Sequence, residues 1–167
     1  MKAINFLPSV PAVSQTGTKV TVAASQRASF TLVASSPLTS SLFSSKASFS
    51  VQFVQKDAKT AIGLATFQPP QGQYTYLTPD SFSASPPGEV YVTMGGAGFI
   101  YPQKCSATRG YKNGDKITVE VDFAKCEVQF SVNNEAVGSA PFKNGATAAF
   151  PVISCEGGPI EMVISKT

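Results

Sequence analysis

The chain has 167 residues, of which 43% are hydrophobic and 14% charged, and its formal net charge is +3 at pH 7. This length suits one domain that buries roughly two-thirds of its unfolded surface. The low net charge, without a long basic run, argues against an electrostatic nucleic-acid-binding surface. No stretch reaches the roughly 18 uninterrupted apolar residues of a membrane span, and Pro8 and Pro11 interrupt the apolar start, which makes a poor secretory signal. We therefore expect a soluble, intracellular protein of the cytoplasm with no nucleic-acid or membrane partner.

Short alternating segments follow one another along the chain and predict β-strands. We predict residues 1–18 as an N-terminal arm and residues 19–167 as a single domain. In that domain apolar and polar residues alternate with period two, which is typical of strands with one buried face. Turn signals recur about every eight to twelve residues, and no amphipathic helix is convincing, so the pattern predicts an all-β sandwich. Ten or more short strands are predicted, and the clearest of them are 19–24, 29–34, 47–53, 60–67, 89–94, 117–123, 126–132, 148–154 and 160–164.

Two irregular stretches and one glycine run separate these strands. Residues 35–45 form a serine-rich loop that also holds Leu42 and Phe43. Residues 68–88 form the longest irregular stretch, and a loop of that length is often functional. The glycine run at 95–98 is not followed by Lys-Ser/Thr and opens no helix, so a tight turn is predicted rather than a phosphate loop.

The clearest alternation predicts a hairpin. If the chain folds back at Ala124-Lys125, Val121 lies opposite Val128. Val119 then lies opposite Phe130, and every apolar side chain falls on one side. A slip of one residue would place all of them in water, so this register is strongly specified.

The residues that carry most enzyme chemistry are absent or scattered. The sequence has no His, which removes the Ser-His and Cys-His nucleophile pairs and the commonest nitrogen ligand of zinc. Cys105, Cys126 and Cys155 lack C-x-x-C spacing, and Cys126 is predicted to point inward from its strand as a small apolar residue. Asp115 and Asp122 flank one predicted strand, where Asp more often makes a turn than binds a cation. We therefore expect no enzyme activity, no metal and no cofactor.

Three segments, in order, resemble the SPRY domain family. Asn113-Gly114-Asp115 leads into I-x-V-x-V-D and V-x-F-S-V-N-N, similar to the family's G-D-x-I-x-V-x-x-D and I-S-F-x-x-N-G. Residues 61–65, AIGLA, resemble its I-G-[LV]-A strand, and residues 150–154, FPVIS, resemble its aromatic-Pro-x-[VI]-S strand. The resemblance implies a bent antiparallel β-sandwich of the concanavalin-like jelly-roll type, with little or no helix and without a clear PRY extension.

The resemblance also implies a function. SPRY domains are non-enzymatic protein–protein interaction modules, or adaptors, that bind a peptide or protein surface through loops at one edge of the sandwich. Tyr74 matches a Tyr that lines this surface in peptide-binding members, and Ser36 lies in a second contributing loop. Tyr and Arg side chains often contribute most of the binding free energy of an interface. We therefore add Tyr76, Tyr101 and Arg109 to the predicted binding surface. The predicted partner-binding residues are Ser36, Pro37, Tyr74, Tyr76, Tyr101 and Arg109.

Two other functions from different classes stay open. A glycan-binding, lectin-like sandwich would need an exposed Trp or Tyr platform, and the absence of Trp weakens that alternative. A structural subunit of a larger assembly is suggested by size alone. The sequence determines neither the partner nor the oligomeric state.

Overall fold

The computed structural model describes residues 2–7, 13–22, 29–56, 59–68, 86–103, 105–156 and 159–167. Within these ranges there are fifteen β-strands and no helix, which confirms the predicted all-β class. The strands are β1 (Lys2–Ala3), β2 (Val13–Thr16), β3 (Lys19–Val22), β4 (Ser29–Val33), β5 (Leu38–Thr39), β6 (Lys46–Lys56), β7 (Lys59–Ala65), β8 (Tyr91–Gly95), β9 (Phe99–Tyr101), β10 (Cys105–Ser106), β11 (Lys116–Asp122), β12 (Glu127–Val132), β13 (Glu135–Pro141), β14 (Ala148–Glu156) and β15 (Ile160–Lys166).

These strands form two antiparallel sheets. The first sheet has the order β13-β12-β11-β6-β15-β3-β2, with β1 also paired to β15. The second sheet has the order β10-β9-β8-β7-β14-β4, with β5 also paired to β14. Alternate residues of both sheets point toward each other and form one buried apolar core, which makes the molecule a β-sandwich.

The predicted hairpin is present in the predicted register. Val121 pairs with Val128 and Val119 with Phe130 across β11 and β12. The prediction for Cys126 was wrong, because the chain turns through residues 123–126 and β12 begins one residue later. Cys126 has φ 55°, and its thiol donates to the carbonyl oxygen of Phe123 instead of packing in the core.

Aromatic residues of the first sheet fill much of the core. Phe49, Phe53 and Phe130 are fully buried. The ring of Phe53 stacks on that of Tyr111, with centroids 5.4 Å apart. The Tyr111 hydroxyl donates to the carbonyl oxygen of Thr60, so the core is joined to the second sheet by a hydrogen bond as well as by packing.

The stretch predicted as an N-terminal arm contributes strands to the sandwich. In the first sheet, β1 pairs with β15 and β2 with β3. Ile4 is buried in the core, and Phe6 forms a bridge to Ala34 beside the second sheet. The described part of this stretch therefore ties the two sheets together at one side.

Candidate functional site

The second sheet has an outer face, turned away from the main core, that carries the predicted Tyr101. Val33, Val152, Gly63, Thr93 and Tyr101 lie directly opposite one another across β4, β14, β7, β8 and β9. Residues that face each other in antiparallel strands project to the same side. We call the side that these five residues share the outer face.

The central side chains of the outer face, which we call its floor, are not accessible to solvent. Val33, Val152, Ala65 and Tyr91 are fully buried and form a second apolar cluster, separate from the main core. A hydrogen bond of 3.2 Å between the hydroxyls of Thr31 and Ser154 lies on the same side of the sheet. A binding partner would therefore meet the borders of this face rather than its centre.

Tyr101 marks one border of the outer face. Its half-buried side chain packs against the second cluster, together with those of Leu7 and Phe67. Phe99, two residues earlier on β9, projects to the same side and is 49% exposed. This border thus offers two neighbouring aromatic side chains, one packed against the second cluster and one about half exposed.

Ser36 and Pro37 mark the opposite border. Both follow β4, with Ser36 exposed and Pro37 half-buried. The preceding Ser35 donates its amide proton to the carbonyl oxygen of Asn5 over 2.8 Å. The side-chain amide of Gln68 donates to the carbonyl oxygen of Ala34 over 3.2 Å. The start of the long 68–88 segment is therefore fixed beside Ser36.

Two predicted residues lie outside the described part of the chain. Tyr74 and Tyr76 fall between positions 68 and 86, where the structure describes no residue. Their assignment to the binding surface stays a prediction.

Arg109 is engaged elsewhere. Its guanidinium Nη2 lies 3.3 Å from Asp115 Oδ2, and its Nε donates to the carbonyl oxygen of Gly110. Asp115 also accepts hydrogen bonds from the Lys112 amide over 2.9 Å and from the side chain of Asn133 over 2.9 Å. Burial opposes ionisation of Asp115, but these donors and the Arg109 charge outweigh it and lower the pKa of the carboxyl group. The contacts of Arg109 thus hold a turn in place.

A second apolar surface was missed by the sequence reasoning. Leu42 and Phe43 are 98% and 97% exposed, and together we call them the loop tip. Beside them lies a groove of about 590 Å³, which we call the end groove, lined by residues 40–45, 123–124 and 145–147. In the sequence, Leu42 and Phe43 stand between two pairs of serines. Composition alone does not show whether two such apolar residues are exposed or buried.

The carboxylates that could serve in catalysis or metal binding are dispersed. Across the described ranges, no three Cys, Asp or Glu side chains lie close enough to share a metal ion. Asp122 accepts from Ser45, Ala124 and Lys125, and Glu89 accepts from Thr66. These carboxylates act as local hydrogen-bond acceptors.

On its described strands, the first sheet has no exposed aromatic ring against which a sugar could stack. Its aromatic side chains, those of Phe49, Phe53 and Phe130, point into the core and are fully buried. A glycan-binding sheet face would need such rings on its outer side.

Among the residues that the structure describes, no helix has the length and apolarity of a membrane span.

Comparison with solved structures identifies the fold. A human SPRY domain has a TM-score of 0.66 and 22% identity, over 92% of this chain and 94% of that chain. The SPRY domain of human HERC1 has a TM-score of 0.64 and 17% identity, over 98% of each chain. The stonustoxin structure has a TM-score of 0.62 and 12% identity, over 99% of this chain and 27% of that one. Neither a protein-family model nor a curated protein sequence matches. The chain therefore has the SPRY fold, as its motifs predicted.

Proposed function

We propose that this SPRY-like domain is a non-enzymatic protein-interaction module that binds an extended peptide segment of a protein partner through side chains on the two borders of its outer face. The observation that carries the proposal is the arrangement of accessible side chains on both borders of a closed apolar floor. Ser36 and Pro37 stand on the β4 side, and Phe99 and Tyr101 stand on the β9 side. The similarity to solved SPRY domains supports the general class of function.

The dimensions of the outer face suit a short peptide. Four strand spacings separate β4 from β9, and at about 4.8 Å each they place the two borders about 19 Å apart. An extended chain spans that distance with about six residues, at about 3.3 Å per residue. A partner peptide would contact Pro37 near one end and Tyr101 near the other, where a Tyr supplies large contact area at low entropic cost.

The chemistry of the chain supports binding rather than catalysis. The sequence has no His, and the carboxylates of Glu89, Asp115 and Asp122 are held in local hydrogen bonds. Cys105, Cys126 and Cys155 form no disulfide among the described residues, which fits a reducing compartment. We place the module in the cytoplasm, as an adaptor.

The test uses selected peptides. A display library of random 12-residue peptides is selected on the wild-type chain, and the Kd of each selected peptide is measured by calorimetry. We expect Tyr101→Ala to weaken binding by about 30-fold, which corresponds to the loss of one hot-spot side chain. Tyr74→Ala with Tyr76→Ala tests the predicted contribution of the long segment in the same assay.

A matched control separates the outer face from other exposed apolar surfaces. Leu42→Ser with Phe43→Ser removes the loop tip and is expected to leave peptide affinity unchanged. Unfolding curves of each variant confirm that the fold is retained. Equal affinity of wild type and Tyr101→Ala for every selected peptide would remove the outer face from the proposal, and a loss only in the loop-tip variant would move the site to the end groove.

A further inference from the structure

Three partly buried side chains pack onto the floor of the outer face, and one of them comes from a different part of the fold. Leu7, Phe67 and Tyr101 pack against the second cluster. Phe67 follows β7 and Tyr101 belongs to β9, and both strands lie in the second sheet. Leu7 instead follows β1, which pairs with β15 in the first sheet. The floor is therefore covered in part by a segment that reaches it from the other sheet.

Residues 5–7, which we call the covering segment, lie along the edge of β4. The Leu7 amide donates to the carbonyl oxygen of Val33 over 2.9 Å, and the Ser35 amide donates to that of Asn5 over 2.8 Å. Such a pair of bonds is typical of antiparallel strands. Since β4 ends the order of the second sheet, the covering segment extends that sheet at the β4 border of the outer face.

The side chains of the covering segment alternate between the two sides of the sheet. Phe6 packs against the main core, whereas Leu7 packs against the second cluster. Both are half-buried, and Asn5 is exposed. Neighbouring side chains of an extended chain project to opposite sides, so Leu7 supplies the apolar contact of this segment with the floor.

On its other edge, the covering segment is held by the side chain of Gln15 in β2. The Gln15 Nε2 donates to the carbonyl oxygen of Ile4 over 2.7 Å, and Oε1 accepts from the Phe6 amide over 3.4 Å. The side-chain amide thus takes the place of a neighbouring strand, with one donor and one acceptor. The second of these bonds is long and therefore weak.

The covering segment has less support than the strand beside it. β4 pairs with β14 over five residues, whereas the covering segment forms an isolated bridge between Phe6 and Ala34. Regions with few buried apolar contacts and few ladder hydrogen bonds open at low free energy. We therefore expect the covering segment to leave the β4 border at a lower free energy than β4 leaves the sheet.

We propose that the covering segment is an internal competitor of the partner peptide. When it leaves the β4 border, the part of the floor that Leu7 covers accepts an apolar side chain of the peptide. The inference rests on the proposed function, because it concerns the same border of the outer face. It also specifies the partner as a peptide with a leucine-sized apolar residue near the end that contacts Pro37. The apparent affinity of the wild type is reduced by the fraction of molecules in which the segment covers the floor.

The affinities of the peptides selected on the wild-type chain test this competition. Leu7→Ala removes the covering side chain, and Gln15→Ala removes the two bonds on the other edge. Each should lower the Kd about 5-fold, because each weakens the segment by about the contribution of half a buried leucine or of one hydrogen bond. The matched control is Leu7→Met, which keeps an apolar side chain of similar volume and should bind like the wild type.

Hydrogen exchange of the wild type measures the position of the segment directly. In the free chain the Leu7 amide is protected by its bond to the carbonyl oxygen of Val33. Saturation with a selected peptide should raise the exchange rate of this amide at least about 10-fold, because the bond is lost when the segment leaves. The amides of β14 serve as the internal control and should keep their rates.

The outcomes separate this inference from the proposed function. Selected peptides whose affinity is the same for Tyr101→Ala would overturn both. If Tyr101→Ala weakens binding but Gln15→Ala and Leu7→Ala bind no more tightly than Leu7→Met, the peptide site stands and the competition does not. A Leu7 amide with unchanged or slower exchange in the complex would also overturn the competition, since the segment would then stay in place. Gln15→Ala and the exchange measurement decide the question even if Leu7→Ala does not fold.

Discussion

The outer face and the loop tip are both apolar, but the molecule supports them in opposite ways. The border residue Tyr101 packs against fully buried side chains that belong to four neighbouring strands of the second sheet. Leu42 and Phe43 rest on hydrogen bonds among serines and Asp122, with almost no packing of their own. The first surface is coupled to folding stability, whereas the second is nearly independent of it.

This difference separates two kinds of mutational effect. Under the proposed function, a substitution in the outer face would change packing and binding together, because the same side chains would serve both. A substitution at the loop tip changes what the surface can bind and leaves the fold almost as stable as before.

The largest expected effect on stability comes from disrupting the close contact between β7 and β8 at Gly63. A Cβ placed on Gly63 would lie 1.8 Å from the carbonyl oxygen of Val92 and 2.7 Å from the Cα of Thr93. Both neighbours are backbone atoms of the paired strand β8, so β7 and β8 would have to separate. We expect Gly63→Ala to lower the free energy of unfolding by about 3 kcal/mol or more in urea denaturation, because overpacking here cannot be relieved by a side chain.

Gly17→Ala is the control for this prediction. Gly17 has φ +59°, but no atom lies within 4 Å of its added Cβ. Its substitution should therefore cost only the strain of a left-handed residue, about 1–2 kcal/mol. A Gly63→Ala protein as stable as Gly17→Ala would mean that the floor is not closely packed.

A smaller effect on stability is expected from Asp122, whose carboxylate accepts hydrogen bonds at the base of the loop tip. Burial opposes ionisation of Asp122, but hydrogen bonds from Lys125, Ser45 and Ala124 outweigh it and lower the pKa of the carboxyl group. The folded chain therefore keeps Asp122 ionised at a lower pH than the unfolded chain does. The resulting stabilisation is complete at neutral pH and is lost as the pH falls below the unfolded value of about 3.9.

Asp122→Ala tests this support. We expect a Tm at pH 7 that is about 2–5 °C lower, and a smaller further loss than the wild type shows when the pH is lowered from about 5 to about 2. Glu161→Ala is the control, because its ion pair with Lys19 lies at the surface, partly exposed to solvent, and should contribute little. An unchanged acid dependence in Asp122→Ala would show that this carboxylate does not anchor the tip.

The parts of the fold that were predictable from sequence are those set by local pattern. The register of β11 and β12 followed from the alternation of apolar and polar residues. Cys126 was misplaced because alternation does not show where a turn ends. The same pattern continues through Phe123 into a turn of four residues.

The candidate surfaces were harder to predict because they depend on distant contacts. Phe43 and Phe49 are six positions apart and of the same type, yet one is 97% exposed and the other fully buried. Tyr101 was predicted as a loop residue, but pairing across β8 and β9 makes it the border of a sheet face. Arg109 was predicted to bind a partner, and its ion pair with Asp115 depends on how the chain folds back on itself.

The smallest expected effect compares the two surfaces directly. Tyr101→Ala should lower the free energy of unfolding by about 1–2 kcal/mol, because a half-buried ring leaves the second cluster. Leu42→Ser with Phe43→Ser should change it by less than about 0.5 kcal/mol, because neither side chain loses packing. Urea denaturation at low protein concentration measures both without a contribution from self-association. The reverse order would require Leu42 and Phe43 to pack against the rest of the domain.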